Sequence, residues 1–324
     1  MFFRPAHRRA ATLAALAALL PAWLACQGSS WSPSPETPQS LARGGADESP
    51  PIPGGCRLGR VRMGLVPQDA ADVREQLAPL ETFLGAQLGA RVELSAYDDY
   101  DRLIAMVASG ELDVAQLPPL AFVLARERDP QLRLLATQIA AGGVHYSGYL
   151  VVRRDSDVQR VRDLENKRIA FVSPSSASGF VFPVARLLED EVDVRRVLER
   201  ATFTGSHQAS VRAVLDGTVD AAATYNAGLA LARSMGLDTR DLRVVGITAA
   251  IPQEALVAPS LLSAHDQRCL QRAFLAANKA SAPGRAALAR FSNEDGWTAT
   301  NEAFYDQVRD QLRAVRAALP EVTP

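Results

Sequence analysis

From Leu58 onward, short apolar segments typical of β-strands alternate with segments whose leucines recur at helical spacing. The segments RVRMGLV at 60–66 and RVELSAY at 91–97 are typical strands, and a helical segment lies between them. One face of that helical segment carries four leucines: Leu77, Leu80, Leu84 and Leu88. Strands that alternate with helices are usually joined by crossovers, so the pattern predicts an α/β fold with mostly parallel sheets.

A short internal echo indicates two lobes of similar construction. SGELDVAQL at 109–117 and LDGTVDAAAT at 215–224 each combine a helix end, a glycine and a strand that begins with an aspartate, Asp113 or Asp220. The chain has 324 residues, of which 48% are hydrophobic, so it is long enough to bury two cores. The echo covers one motif only and suggests, rather than defines, the two lobes.

The N-terminus has the pattern of an export signal. A basic region at 4–9 precedes an apolar run at 10–24 that is short for a membrane span. The run ends shortly before Cys26, in a context that resembles the lipobox of bacterial lipoproteins, although Trp23 stands where that box usually has leucine. We therefore expect residues 1–26 to be a signal peptide with Cys26 lipidated; an ordinary cleaved signal is the alternative.

The next segment, 27–56, is rich in Ser, Pro and Gly and has no apolar period, so we expect a flexible tether. Export would permit a disulfide between Cys56 and Cys269. The sequence does not show whether these cysteines are close together. Because Cys269 lies in a probable helix beside apolar residues, a buried free thiol is the alternative.

A predicted strand at 168–172 runs into the loop VSPSSASGFVFP at 172–183, which combines small hydroxyl residues with a glycine. Free N–H groups at the start of the following helix, together with serine hydroxyls, would suit an anion. Plain helix capping by Ser176 or Ser178 is the alternative. His207 follows Gly205-Ser206 at a second predicted helix start, where a bound anion would favour its protonated form.

Several function classes fit the sequence poorly. The formal net charge is −1 without a long run of one sign, which argues against a nucleic-acid partner. The sequence has no G-x-S-x-G elbow and no histidine pair at metal-ligand spacing, so we expect neither an enzyme nor a metal site or cofactor.

Three long motifs together resemble the phosphate/phosphite/phosphonate-binding proteins of ABC importers. They are YDDYDRLIAMVASGELDVAQLPPLAF, HYSGYLVVRRDSDVQRVRDLENKRIAFVSPSSASGFVFP and FTGSHQASVRAVLDGTVDAAATYNAG. The resemblance covers about 58 to 280 and implies a two-lobed periplasmic-binding-protein type II fold, each lobe a mostly parallel sheet flanked by helices. We expect residues 57–146 plus 247–324 in the first lobe and 147–246 in the second.

The resemblance also implies a ligand site and partners. The loop residues would hold the oxyanion with hydroxyl and amide groups, His207 would donate to it, and the tyrosines would line the cleft. The positions that correspond are Tyr100, Tyr146, Ser176, Ala177, Ser178, Gly179, His207, Asn226 and Glu254. The expected partners are a small oxyanion and an ABC permease, and the chain is expected to be a periplasmic or envelope monomer held to a membrane by its lipid.

Three positions depart from the family pattern. Ala177 stands where a threonine is often found, which removes one donor, and Pro118 in the 116–119 turn has no N–H to offer. Ala227 stands where aminoalkyl-phosphonate binders carry a carboxylate for the ligand amine. We therefore expect phosphite, a short alkyl phosphonate or phosphate. A lipoprotein that senses another small anion without transport is the alternative function.

Overall fold

The computed structural model describes residues 56–66, 73–97, 99–291 and 293–324. The predicted signal peptide with Cys26 and nearly all of the predicted tether lie outside the described residues. Within them, strands and helices alternate as the sequence pattern predicts, and the strands form two sheets. The predicted α/β fold is confirmed.

The described strands are β1 (Arg60–Leu65), β2 (Arg91–Ala96), β3 (Val114–Leu117), β4 (Arg133–Ala140), β5 (His145–Arg153), β6 (Ile169–Phe171), β7 (Thr202–Phe203), β8 (Ala221–Tyr225), β9 (Leu242–Pro252), β10 (Ala255–Ala258) and β11 (Glu294–Thr298). The described α-helices are α1 (Val73–Leu88), α2 (Tyr100–Ala108), α3 (Pro119–Arg128), α4 (Phe182–Glu189), α5 (Val194–Leu198), α6 (His207–Leu215), α7 (Asn226–Ser234), α8 (Ala264–Ala276), α9 (Ala282–Ala287) and α10 (Asp306–Ala318). Short 3₁₀ turns lie at Val161–Leu164, Thr239–Asp241 and Glu302–Tyr305, and a π-helical turn at Ala177–Val181 precedes α4.

The first sheet has the strand order β11-β4-β10-β3-β1-β2, and the second has the order β7-β6-β8-β5-β9. Both sheets are mixed. In the first, β1 pairs in parallel with β2 and β3, whereas β10 and β11 pair antiparallel with their neighbours. In the second, β6 pairs in parallel with β7 and β8, and β5 pairs antiparallel with β8 and β9.

The prediction of mostly parallel sheets is therefore wrong. Only the βαβ units, such as β1–α1–β2, obey the crossover rule that makes neighbouring strands parallel. Strands that arrive from the other sheet, or that return from the C-terminal part of the chain, need no such crossover and pair antiparallel. A buried strand has the same apolar pattern whether it pairs in parallel or antiparallel, so the pattern does not indicate the direction of pairing.

The chain passes between the sheets twice. It leaves the first sheet after β4 and enters the second at β5, and it returns from β9 to β10 across only Gln253 and Glu254. The predicted lobe boundaries, 146/147 and 246/247, fall inside β5 and β9, close to these passages. The assignment of residues to lobes stays a prediction.

Helix α1 covers the first sheet with the leucine face that the sequence predicts. Leu77, Leu80, Leu84 and Leu88 are all buried, in one cluster with Val61 of β1. A disulfide between Cys56 and Cys269 fastens the start of the described chain to α8 of the same cluster, with the two Cα atoms 5.7 Å apart. The structure therefore answers the open question about these cysteines in favour of a bond.

The two aspartates of the sequence echo have the same structural role in the two sheets. An Asp113 carboxylate oxygen accepts a hydrogen bond of 2.8 Å from the Arg62 backbone N–H and also pairs with the Arg62 side chain. Asp220 does the same with the N–H and the guanidinium of Arg168, again at 2.8 Å from the backbone nitrogen. Each aspartate thus ties the start of one parallel strand to its neighbour.

Candidate ligand-binding cleft

A cavity of about 380 Å³ opens where segments of the first sheet face the ends of strands in the second. Most of its polar lining consists of neutral hydroxyl, amide and imidazole groups. These groups belong to Tyr100, His145, Tyr146, Ser173, Ser175, Ser176, Ser178, Ser206, His207, Gln208, Tyr225, Asn226, Gln253 and Asn293. Within the described chain, the lining includes one carboxylate, that of Glu254, and no Arg or Lys.

The serine loop forms one wall and is built on a close backbone approach. A Cβ added to Gly179 would lie 2.4 Å from Val172 Cγ2 and 2.7 Å from Ser176 Oγ, so no larger residue fits without a shift of the turn. Ser178 is 4% exposed and lines the cavity. Because residue 179 is a glycine, the π-helical turn can pack closely against Val172 while Ser178 lines the cavity.

Ser176 caps this turn, as one of the two sequence interpretations predicts. Its Oγ accepts a hydrogen bond of 3.0 Å from the Gly179 N–H. The cap uses a lone pair of the oxygen, and the hydroxyl proton can still be donated into the cavity that Ser176 lines. Capping and anion binding are therefore compatible here. The Gly179 N–H, in contrast, is engaged by the cap, and Gly179 is not among the lining residues.

His207 opens α6 directly after Ser206, whose Oγ caps the helix by accepting from the Ala209 N–H at 3.1 Å. Its Nε2 lies 3.5 Å from Ser178 Oγ, and its ring meets the ring of Tyr225 edge to face, with the centroids 4.7 Å apart. Burial lowers the pKa of His207 to about 4. The His207 ring is therefore neutral at pH 7, in contrast to the protonated donor expected for the anion-bound form.

The Nδ1 atom of His207 is buried and has no hydrogen-bond partner within the described chain. An unpaired acceptor nitrogen is less costly than an unpaired N–H donor. This favours the tautomer with the proton on Nε2, the nitrogen beside Ser178. A neutral His207 in this form donates one hydrogen bond at the cavity wall.

Three tyrosines form an aromatic wall: Tyr100 at the start of α2, Tyr146 on β5 and Tyr225 at the end of β8. The rings of Tyr146 and Tyr225 meet edge to face at 5.6 Å. Burial raises the pKa of Tyr100 and of Tyr225 to about 12, and it raises the pKa of Tyr146 further. All three phenols therefore stay protonated near neutral pH and can donate.

Glu254 reaches the cavity from the two-residue link between β9 and β10. Its Oε2 accepts a hydrogen bond of 2.7 Å from Nε2 of Gln116 on β3. Pro118 and Pro119, which follow β3 at the start of α3, also line the cavity, whereas Gln116 and Leu117 are buried residues of β3 and do not.

The structure brings together eight of the nine residues that the sequence analysis selects, and Gly179 lies directly behind them. The eight are Tyr100, Tyr146, Ser176, Ala177, Ser178, His207, Asn226 and Glu254. Ala227, which by the family resemblance replaces the carboxylate of aminoalkyl-phosphonate binders, lines the cavity too. That these residues bind a ligand stays a proposal.

Sequence reasoning missed several lining residues, of which Tyr225 is the most prominent because it contacts both His207 and Tyr146. The sequence did contain an indication of its position, since Tyr225 is the last residue of β8, the strand that follows Asp220. His145 was missed although it directly precedes Tyr146. Gln253 was missed beside Glu254.

The sequence model of one protein family matches residues 63–305. Its description is ABC transporter, phosphonate, periplasmic substrate-binding protein. The chain belongs to this family. The matched segment begins within β1 and contains all nine residues selected for the site and both passages between the sheets.

Individual relatives agree with this assignment. The chain is 28% identical, over 81% of its own length and 77% of the relative's, to a protein of Mycolicibacterium smegmatis named Phosphate-import protein PhnD. It superposes with a TM-score of 0.69 and 21% identity on XAC2383 from Xanthomonas citri, bound to chloride, covering 82% of this chain and 100% of the other. PhnD1 from Prochlorococcus marinus, in complex with methylphosphonate, gives a TM-score of 0.67 at 19% identity and coverages of 80% and 98%. The two structures confirm the type II binding-protein fold.

The described residues lack two features. None of the helices there is long and apolar enough to cross a membrane. That same part of the chain contains no group of three or more His, Cys, Asp or Glu side chains arranged to hold a metal ion.

Proposed function

We propose that this chain is an exported solute-binding protein that captures a phosphorus oxyanion in the cleft and delivers it to an ABC permease. One observation supports this most directly: hydroxyl, imidazole and amide groups from both sheets converge on one cavity of about 380 Å³. A phosphorus oxyanion is compact and offers several acceptor oxygens. Such a set of donors can satisfy those oxygens without a metal.

The donors divide into two groups. Ser176 and Ser178 of the π-helical turn and His207 at the start of α6 would bind the oxygens from the second sheet. Tyr100 would approach from the side of the first sheet. A hydrogen bond to a charged group contributes roughly 1.5–3 kcal/mol net. Four or five such bonds, less the costs of ordering and closure, support micromolar or tighter binding.

The ligand that fits best is phosphite, a short alkyl phosphonate or phosphate. Ala227 contributes only a methyl group at the position where an amine would need a carboxylate. The relative from M. smegmatis is named a phosphate-import protein, and the P. marinus structure holds methylphosphonate. Both names are consistent with a small oxyanion here.

The remaining features of the proposal come from the N-terminal sequence and from the family. Residues 1–26 would direct export, lipidated Cys26 would hold the protein at a membrane, and the tether would let the folded part reach the permease. The protein would act as a monomer, without catalysis or a cofactor. The two sheets would close on the ligand about the two chain passages, which would exclude water and strengthen each hydrogen bond.

A thermal-shift panel on the form that lacks residues 1–26 tests the proposal. The ligands are phosphite, methylphosphonate, 2-aminoethylphosphonate, phosphate and sulfate, each from micromolar to millimolar concentration. A ligand that binds the native state raises the melting temperature by mass action. We expect stabilisation by phosphite, methylphosphonate or phosphate and none by 2-aminoethylphosphonate. No shift with any of the phosphorus compounds would overturn the proposal and favour a sensor of another anion.

A further inference from the structure

Strands β5 and β9, which carry the chain between the two sheets, pair with each other along most of their length. Their register shifts at a β-bulge in which Gly148 of β5 faces two residues of β9, Thr248 and Ala249. The pairs on either side of this bulge are Ser147 with Ala250 and Tyr149 with Ile247. A bulge interrupts the ladder and bends the strand that has the extra residue, which here is β9.

The bulge lies where the two strands leave the second sheet. From Gly148 to Val152, β5 also pairs with β8, so this part belongs to a sheet of five strands. On the other side of the bulge, residues 145–147 pair with 250–252 as a two-stranded ribbon, without β8 beside them. Two-stranded ribbons twist more strongly than wider sheets. Rotation of one sheet against the other is therefore easiest at this boundary.

The hydroxyl of Thr248 holds the bulge together. Its Oγ1 accepts a hydrogen bond of 2.9 Å from the buried Gly148 N–H and donates to the Ala249 carbonyl oxygen at 2.8 Å. A hydroxyl has one donor and two acceptor positions, so it satisfies both backbone groups at once. Thr248 is 7% exposed, so water has little access to replace these bonds if the hydroxyl is removed.

The same bulge contacts the segment that carries the cleft serines. A Cβ added to Gly148 would lie 3.4 Å from the backbone carbonyl oxygen of Ser178. The Ser178 side chain also hydrogen-bonds to that of Tyr146, two residues before Gly148 on β5. Arg186 of α4, the helix that follows Ser178, donates from Nη1 to the Ile247 carbonyl over 2.8 Å. The π-helical turn and α4 are thus seated on both strands at the bulge.

We propose that Gly148 and Thr248 form the hinge about which the two sheets close, and that Thr248 is a positioning residue whose hydroxyl restricts the angle of this hinge. Ser178 and His207 move with the second sheet and Tyr100 moves with the first, so only some hinge angles bring all three to one ligand. This inference rests on the proposed function. It adds to that function the joint of the closing motion and the group that sets its angle.

A hinge residue acts equally on all ligands, because it does not touch them. When only a fraction of the ligand-free molecules has the binding-competent angle, the apparent dissociation constant equals the intrinsic constant divided by that fraction. Loss of the Thr248 hydroxyl widens the range of angles and lowers the competent fraction. Phosphite, methylphosphonate and phosphate should therefore lose affinity by the same factor.

The experiment compares the form lacking residues 1–26 with its Thr248→Val variant, which keeps the shape of the side chain and removes the hydroxyl. Calorimetric titration should show a loss of affinity of about tenfold, the size expected for one lost hydrogen bond, for each of the three ions. Spin labels on Gln87→Cys and Arg212→Cys, at exposed positions of α1 and α6, report the distance between the two sheets. Pulsed electron paramagnetic resonance should give a wider distance distribution for ligand-free Thr248→Val than for the ligand-free wild type.

Two further threonine variants separate the hinge from a merely structural role. Thr248→Ser keeps the hydroxyl and should restore both the affinity and the narrow distance distribution. The matched control is Thr239→Val, since Thr239 is also 7% exposed and its Oγ1 accepts from Arg233 Nε at 3.0 Å outside the cleft. This control should lower the melting temperature and leave the affinity and the distance distribution unchanged.

Gly148→Ala gives an independent test should Thr248→Val fail to fold. The added Cβ would lie 2.9 Å from Thr248 Cγ2 and 3.0 Å from its Oγ1, so the threonine side chain must move away from its hydrogen-bonded position. We expect the same wider distribution and the same loss of affinity for all three ions. Thermal unfolding of each variant checks that the fold is intact.

The outcomes are distinct for the two proposals. A wild type that binds no phosphorus oxyanion overturns the proposed function, whereas the distance distributions of the ligand-free proteins still test the hinge. Unchanged distributions in Thr248→Val and Gly148→Ala overturn the hinge alone. The same holds if the loss of affinity differs from one ion to another, which indicates contact with the ligand, or if Thr239→Val reproduces the effect of Thr248→Val.

Discussion

Ser178 Oγ and His207 Nε2 lie 3.5 Å apart at the wall of the cleft, although each is supplied by a different strand–helix junction. Ser178 belongs to the π-helical turn after β6, and His207 opens α6 after β7. Because both junctions lie in the second sheet, the two donors are fixed relative to each other before a ligand binds. An oxygen placed between them would accept from both.

Replacement of Ser178 by alanine should weaken the binding of phosphite or phosphate at least tenfold. The loss follows from one charge-assisted hydrogen bond in a buried site, which contributes roughly 1.5–3 kcal/mol. Isothermal titration at pH 7 measures it. The matched control is Ser263→Ala, which removes a helix cap on α8 outside the cleft. It should cost about 1 kcal/mol of stability without a change in affinity. Unchanged affinity in Ser178→Ala would indicate that the serine loop only caps the following helix.

His207 should make the ligand-free protein less stable in acid. The unfolded chain takes up a proton on this residue below about pH 6.5, whereas the native ring has a pKa of about 4. The unfolded state therefore binds more protons between these values. The free energy of unfolding should fall by about 2–3 kcal/mol as the pH drops from 6.5 to 4, with little further loss at lower pH.

Urea denaturation at pH 7, 5.5 and 4 measures this effect, with His207→Gln expected to lose less stability in acid than the wild type. His145→Gln must be measured beside it, because burial lowers the pKa of His145 in the same direction. Equal acid sensitivity in all three proteins would show that His207 titrates normally.

Local patterns predicted those parts of this fold that depend on neighbours in sequence. The leucine face of α1, the capping serine at 176 and the paired aspartates at 113 and 220 all follow from spacing within a few residues. The serine loop and His207 were found in the same way, since each lies where a predicted strand meets a predicted helix.

Long-range pairings could not be predicted from such patterns. Gln116 and Glu254 are separated by 138 residues, and Cys56 and Cys269 by 213. Neither pair leaves a local signal, because its members meet only after strands from distant parts of the chain enter one sheet. The antiparallel direction of β5 and β10 was missed for the same reason: the residues of a strand show that it is buried but not which way its neighbour runs.

Gly179→Ala should damage both the turn and the site. The added Cβ would lie 2.4 Å from Val172 Cγ2 and 2.5 Å from Val172 Cβ, so the π-helical turn must shift and move Ser178 with it. Overpacking of this kind costs about 1–3 kcal/mol. Chemical denaturation and ligand titration should both show a loss. Gly59→Ala, with nothing within 4 Å of the added carbon, is the control and should change neither measurement.

Reduction of the bond between Cys56 and Cys269 should lower stability without changing affinity. The bond closes a loop across 213 residues of sequence, and the chain-entropy model assigns up to about 5 kcal/mol to such a closure. The corresponding fall in melting temperature is about 10 °C for a domain of this size. The bond lies in the core of the first sheet, whereas the proposed anion donors Ser176, Ser178 and His207 belong to the second.

Calorimetric melting with and without reductant measures the effect of this bond. The double variant Cys56→Ser/Cys269→Ser serves as the control. It should melt at the temperature of the reduced wild type, and reductant should not change that temperature. Titration with phosphite should give the same affinity for the oxidised, reduced and double-variant proteins. A lower affinity after reduction would mean that the start of the chain supports the cleft and does not merely brace the first sheet.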